Sequence, residues 1–263
     1  MNKSIRLIAL DFDGTIMVYE DPPSGHFHPD VIELLNDLEA RGVSWCTNSG
    51  RDLKDQSLVI ELAVSRGLRH KPVALICSES MVYERNNSSY HPLEPWNSTV
   101  QRDLIHFHRL VQERLQPLMP DLIRRHGLFP SYVGEHFTAF ALPDRDGLPQ
   151  LFHEELCELL RDVPKTMITR NGGWVAVLTE DLGKGNALRQ FSAAHGYKPE
   201  EILAIGDQFN DLNMLDGIAA KHVGCPSNSI REVVETVRKA GGFVSAQEGP
   251  HGTMDVIRRF LSL

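Results

Sequence analysis

The sequence predicts an α/β protein: a doubly wound parallel sheet in a Rossmann-like core, with an inserted α+β domain. Three observations predict it. Short apolar runs of the kind buried on both sheet faces alternate with segments of helical periodicity. That alternation lapses mid-chain and later resumes. Polar clusters fall where the predicted core strands end, the edge at which open α/β sheets place their sites. At about 150 residues per domain, the 263 residues fit one large domain or two modest ones.

The elements follow in order. Ile5 to Leu10 is continuously apolar and reads as a buried strand, ending at Asp-Phe-Asp-Gly. Asp30 is placed to cap a helix carrying Val31, Ile32, Leu34, Leu35 and Leu38, with Gly42 to end it. Val43 to Cys46 is a second strand, a helix spans about Leu53 to Ser65, and Val73 to Cys77 is a third strand. Residues 85–97 are polar, with two Pro and three Asn, and read as a linker. A long helix over Thr99 to Leu118 follows, then a strand at Phe137 to Leu142 and a helix at Leu148 to Leu160. Lys165 to Arg170 and Trp174 to Thr179 flank Asn171-Gly172-Gly173, a hairpin signal. The core rhythm resumes with a helix from Asn186 to Ala194, a strand at Ile202 to Ile205, and a short helix carrying Leu212 and Leu215. Lys221 to Val223 is a further strand. Ser229 and Glu232 spell a capping box, Gly242 to Val244 is a last short strand, and Thr253 opens the terminal helix. The expected division is therefore a core of residues 1–84 and 180–263 around an inserted domain of residues 85–179.

Composition narrows the function. Lys plus Arg is 27 against 35 Asp plus Glu, a net charge of −8, so no basic nucleic-acid footprint is expected. No apolar run reaches a membrane span or a signal peptide, so no membrane association is expected. The four cysteines lack CxxC spacing and read as reduced, buried thiols, which favours the cytoplasm.

Four clusters could carry chemistry. Asp11 and Asp13 stand at i and i+2 after the first strand, and two carboxylates so close call for a cation or a proton. A hard divalent ion such as Mg²⁺ suits them. A solvated turn with a capping Asp fits that pair equally well. Asp207, Asn210 and Asp211 follow a late strand. Alone they read as helix caps, and with the first pair as further ligands for one cation. Ser49-Gly50 offers a hydroxyl and a free N–H to an anion, though the pair is also an ordinary turn. Lys184 in Gly183-Lys184-Gly185 opens a helix, where it is either an anion contact or a solvated lysine. It is not a Walker A loop, because position 178 is Leu and neither Ser nor Thr follows the Lys. The histidines show no zinc spacing.

Together these clusters resemble the haloacid dehalogenase superfamily. Asp11, Asp13 and Thr15 match its DxDx[TV] motif, Ser49 its second, Lys184 its third, and Gly206, Asp207, Asn210 and Asp211 its GDxxND. The Ser49-Gly50-Arg51 run, and the large insert after it, are similar to the Cof-like, sugar-phosphate phosphatase branch, in which the insert is a cap. So are Asn228 and His251-Gly252-Thr253 near the end. One departure stands out: relatives often carry Asn-Gly after the third strand, where this chain has Ser78-Glu79-Ser80.

The resemblance implies a Mg²⁺-dependent phosphatase acting on a small phosphorylated metabolite, such as a sugar phosphate. Asp11 would be the nucleophile, forming an aspartyl-phosphate, and Asp13 the acid and then the base. Asp11, the Asp13 carbonyl, Asp207 and Asp211 would serve the metal, with Asp211 either a direct ligand or an orienting group. Ser49, Gly50, Lys184 and Asn210 would hold the phosphoryl group or substrate. A phosphomutase using the same intermediate, a dehalogenase, and a non-catalytic phosphometabolite-binding protein are the alternatives.

Overall fold

The computed structural model describes residues 5–19, 25–129, 133–134, 137–143 and 147–263. The chain divides into two units, Met1–Glu94 with Lys184–Leu263, and Pro95–Gly183.

The first unit opens with β1 (Leu7–Leu10), a small hairpin of β2 (Met17–Val18) and β3 (His26–Phe27), and α1 (Pro29–Ala40). It continues with β4 (Ser44–Asn48), α2 (Leu53–Ser65), β5 (Ala74–Cys77), β6 (Met81–Asn86) and β7 (Ser89–Pro92). The second unit contributes α3 (Trp96–Leu115), α4 (Met119–His126), β8 (Val133–Gly134), β9 (Phe137–Ala141), α5 (Leu148–Leu159), β10 (Thr166–Asn171) and β11 (Trp174–Thr179). The first unit then resumes with α6 (Lys184–Ala194), β12 (Ile202–Ile205), β13 (His222–Cys225), α7 (Arg231–Lys239), β14 (Phe243–Val244) and α8 (Gly249–Leu261).

The large sheet runs β14-β13-β12-β1-β4-β5-β6-β7. From β14 to β5 every pairing is parallel, and β6 and β7 add an antiparallel hairpin at one edge. β1 lies at the centre. The chain reaches β4 on one side of it and, much later, β12 on the other, so the strand order reverses there and leaves a crevice at the carboxyl ends. The sequence explains the centre: all four β1 residues and all four of β12 are buried, as two-sided cover requires. α1 lays Val31, Ile32, Leu35 and Leu38 into the core, each side chain contributing roughly 1.5–3 kcal/mol of burial. The edge strand β7 reads Ser-Tyr-His-Pro, polar and Pro-ended, which discourages further pairing.

Several expectations shift. Residues 85–97 are not a linker throughout: they complete the β6–β7 hairpin, so the first unit runs to Glu94 rather than 84. The cap of α1 is His28, which accepts from the Asp30 N–H, rather than Asp30 itself. Leu212 and Leu215 follow a 3₁₀ turn (Phe209–Asp211) and not a helix of their own. The capping box does not form, because the Ser229 hydroxyl donates to the Pro226 carbonyl and Ile230 is the cap of α7. α8 starts at Gly249, ahead of Thr253. Cys46, Cys77 and Cys225 are buried, but Cys157 is exposed on α5.

The second unit is an antiparallel sheet, β10-β11-β9-β8, with its own apolar cluster. Phe152 of α5 meets Phe140 of β9 edge to face, ring centroids 5.2 Å apart. Among the described residues no helix is long and apolar enough to cross a membrane.

Candidate active site

The parallel strands end together, and each end delivers a polar residue. Asp11 follows β1, Ser49 follows β4, Ser78 and Glu79 follow β5, and Asp207 follows β12 one residue on. Phe12, between the two aspartates, is fully buried and packs edge to face on Phe27 at 5.4 Å. That anchor holds the loop down and leaves the carboxylates at the crevice.

Lys184 is the electrostatic centre. It is wholly buried at the start of α6, and its ammonium lies 2.8 Å from Asp11 Oδ1 and 2.6 Å from Asp211 Oδ1. Asn48 donates to its backbone carbonyl at 2.9 Å, tying the end of β4 to the start of α6. A solvated lysine is thereby excluded. Burial alone would lower its pKa, but Asp11, Asp211 and Glu79 more than offset that and raise it.

Asp11, Asp207 and Asp211 converge: an oxygen of each lies within 4.8 Å of the others. Thr15 donates to Asp207 Oδ1 at 2.9 Å. Asp211 Oδ2 accepts from the backbone N–H groups of Asp207 and Gln208, both at 2.9 Å. These bonds fold the loop back on itself and account for the 3₁₀ turn. Two glycines are required by the close fit. Gly14 has φ +75°, and a Cβ there would overlap the Asp207 carboxylate; a Cβ on Gly206 would overlap that of Asp211.

Three buried carboxylates face one ammonium. Burial pushes Asp11 well up, Lys184 pulls it back, and Asp211, Asp207 and Asp13 push it up again. Asp207 is pushed up to about 7, by burial first and by Asp211 next, against the bond from Thr15. Asp11 Oδ2 is buried with no hydrogen-bond partner. Excess negative charge and converging oxygens fit a hard divalent cation.

Asp13 stands apart from this cluster. Its carboxylate is gripped by Arg51, with Nε at 3.0 Å from Oδ2 and Nη2 at 2.6 Å from Oδ1. The cation that relieves repulsion between Asp11 and Asp13 is thus in part Arg51. Ser49 is buried, and its hydroxyl accepts from the Arg51 N–H at 3.2 Å. Asn210 donates to Glu79 Oε1 at 3.0 Å. Arg51, Asn48 and Glu79 were not among the expected site residues. Arg51 had a signal in the Ser-Gly-Arg run, and Glu79 in the departure after the third strand.

A doubly wound core with carboxylates, lysine and serine gathered at its strand ends defines a haloacid dehalogenase-type hydrolase, and comparison with known proteins agrees. The chain belongs to the sucrose-6F-phosphate phosphohydrolase family, which it matches over residues 4–260. It is a phosphoric monoester hydrolase of the haloacid dehalogenase superfamily, of the Cof-like kind. The Bacillus subtilis protein named "Putative phosphatase YxeH" is 29% identical over 117 residues, 41% of this chain and 40% of that one. The sucrose-phosphatase of Synechocystis sp. PCC6803 shares the fold at TM-score 0.69 and 18% identity, over 98% of each chain. BT1666 of Bacteroides thetaiotaomicron does so at TM-score 0.63 and 16% identity, over 99% of this chain and 96% of its own.

Proposed function

We propose that the chain hydrolyses a small phosphomonoester, such as a sugar phosphate, through an aspartyl-phosphate on Asp11, with Mg²⁺ as cofactor. The observation that carries this reading is the buried Asp11 carboxylate, with Oδ1 on Lys184 and Oδ2 unpartnered. A nucleophile needs one oxygen fixed and the other free. Asp11, Asp207 and Asp211 would hold the metal with the Asp13 carbonyl, Asp211 acting directly or through its neighbours. The metal, when bound, supplies charge neutralisation and polarises the phosphoryl oxygens.

The protein's own groups do the rest. Asp11 attacks phosphorus, and the P–O bond to the leaving group breaks in line. Asp13 gives its proton to the departing oxygen and then takes one from the attacking water. Arg51 must slacken its grip for Asp13 to take up that proton, so its fork gates the acid. Ser49, the Gly50 N–H and Lys184 hold the transferring oxygens, and Asn210 supports them. The 95–183 unit, inserted in the chain between Ser49 and Lys184, would serve as a cap that selects the leaving group. A phosphomutase would share every one of these groups, and release of free phosphate separates the two.

The test is hydrolysis of a generic aryl phosphate with Mg²⁺ and with EDTA, beside Asp11→Asn. Phosphate release that needs Mg²⁺ and falls at least about 10³-fold in the variant is expected. A folded wild type that binds orthophosphate but turns nothing over, with any sugar phosphate, would leave a binding protein instead.

A further inference from the structure

Among the described residues, Glu79 is the one buried charged group at the site that the chemistry above leaves unused. It is 5% exposed and stands two residues past β5. Its φ is +62° and that of Ser78 is +47°, a region that disfavours side chains. Backbone bonds pin this turn to the phosphoryl-binding loop: the Glu79 N–H donates to the Ser49 carbonyl at 3.2 Å, and the Ser78 N–H to that of Arg51 at 3.0 Å. Glu79 Oε1 accepts from Asn210, and a Cβ placed on Gly50 would lie 3.5 Å from it. Oε2 is buried and has no hydrogen-bond partner. A buried polar atom left unmatched in a rigid, strained turn points to a ligand that completes it.

We propose that Glu79 is a substrate-binding residue, its buried, unpartnered Oε2 completing a hydrogen bond with a phosphoryl oxygen held beside Gly50 and Lys184. This rests on the phosphatase reading above. A phosphoryl group offers almost only acceptors, so its neighbours must supply protons. Burial raises the Glu79 pKa, the Lys184 charge and the Asn210 bond draw it back, Asp211 raises it again, and the balance is upward.

The test is calorimetric binding of orthophosphate with Mg²⁺ present, for wild type, Glu79→Gln and Glu79→Ala, with thermal melts to verify folding. Gln keeps a donor without a charge and should bind within about threefold of wild type. Ala should bind roughly tenfold or more weakly, with the aryl-phosphate KM rising more than kcat falls. Tenfold tighter binding by Gln would show a charged, repelling Glu79 and overturn the proposal. So would unchanged binding by Ala, equal losses in both variants, or no orthophosphate binding by wild type. The functional reading fails separately, by absence of turnover in wild type.

Discussion

Lys184→Met removes the ammonium that, among the described residues, alone faces three buried carboxylates, while nearly conserving volume. Its ammonium lies 2.8 Å from Asp11 and 2.6 Å from Asp211, and the side chain is wholly buried. Breaking a buried pair by removing one partner costs about 3–5 kcal/mol, because the other charge is left uncompensated. Here two charges are left, so the upper end is expected in metal-free protein at alkaline pH. For a unit of this size each kcal/mol moves the melting point by about 2–4 °C, giving a drop of roughly 10 °C or more. The loss must depend on pH. Without Lys184 the folded state holds its carboxyl protons to higher pH than the unfolded chain does, so stability falls as pH rises. Urea unfolding in EDTA, followed by Trp45 fluorescence with Trp96 and Trp174 replaced by Phe, reads this unit directly: Trp45 is buried in β4. A loss below about 1 kcal/mol, or one no larger at alkaline than at mildly acidic pH, would refute the charge argument.

Gly14→Ala should lower Mg²⁺-dependent turnover by about 10²-fold, since the new methyl group displaces Asp207 and φ +75° is strained; unchanged metal affinity by calorimetry would count against it. For wild type in EDTA, the Asp207 carboxyl is raised to about 7 from an ordinary 3.8. The folded state thus binds the extra proton between those values, and stability should decline as pH climbs from about 4 to 7, at about 1 kcal/mol per pH unit. Mg²⁺ should cancel that decline, so its stabilisation of the melting point grows with pH; a metal effect independent of pH would refute the assignment. Arg51→Met should leave Mg²⁺ affinity nearly unchanged but lower turnover, because the fork that orients Asp13 is lost; unchanged turnover would free Arg51 of that role.

Much of this was legible because each signal is local. Leu7 to Leu10 is apolar throughout, and Asp11 follows it directly, so the strand and the carboxylate at its end can be read from one short window. Lys184 is likewise marked by the glycines beside it. What the sequence could not display are partners far along the chain. Asp13 and Arg51 are 38 residues apart, Asn48 and the Lys184 carbonyl 136, and Glu79 and Asn210 131. Local signals also misled where tertiary bonds outbid them. Ser229 has the spacing of a capping box, but its hydroxyl is drawn to Pro226. Residues 85–97 look like a linker by composition, yet their alternation with Met81–Asn86 adds a hairpin to a sheet edge that would otherwise lie open.

The charge of the site also orders its ligands. Asp11, Asp207 and Asp211 against Lys184 leave an excess of two negative charges when all are ionised. A phosphomonoester dianion entering that crevice would be repelled, whatever Ser49 and Gly50 offer it. Phosphate affinity is therefore tied to the cation: either protons are taken up, as the raised Asp11 and Asp207 carboxyls allow, or a divalent ion supplies the missing charge. Protonating Asp11 would silence it as the proposed nucleophile, so only the second course leaves the site able to react as proposed. By linkage, orthophosphate should tighten Mg²⁺ binding by the same factor that Mg²⁺ tightens orthophosphate binding. Two calorimetric titrations, each ligand with and without the other, would show it, and a factor of about one would mean that the two do not share this crevice.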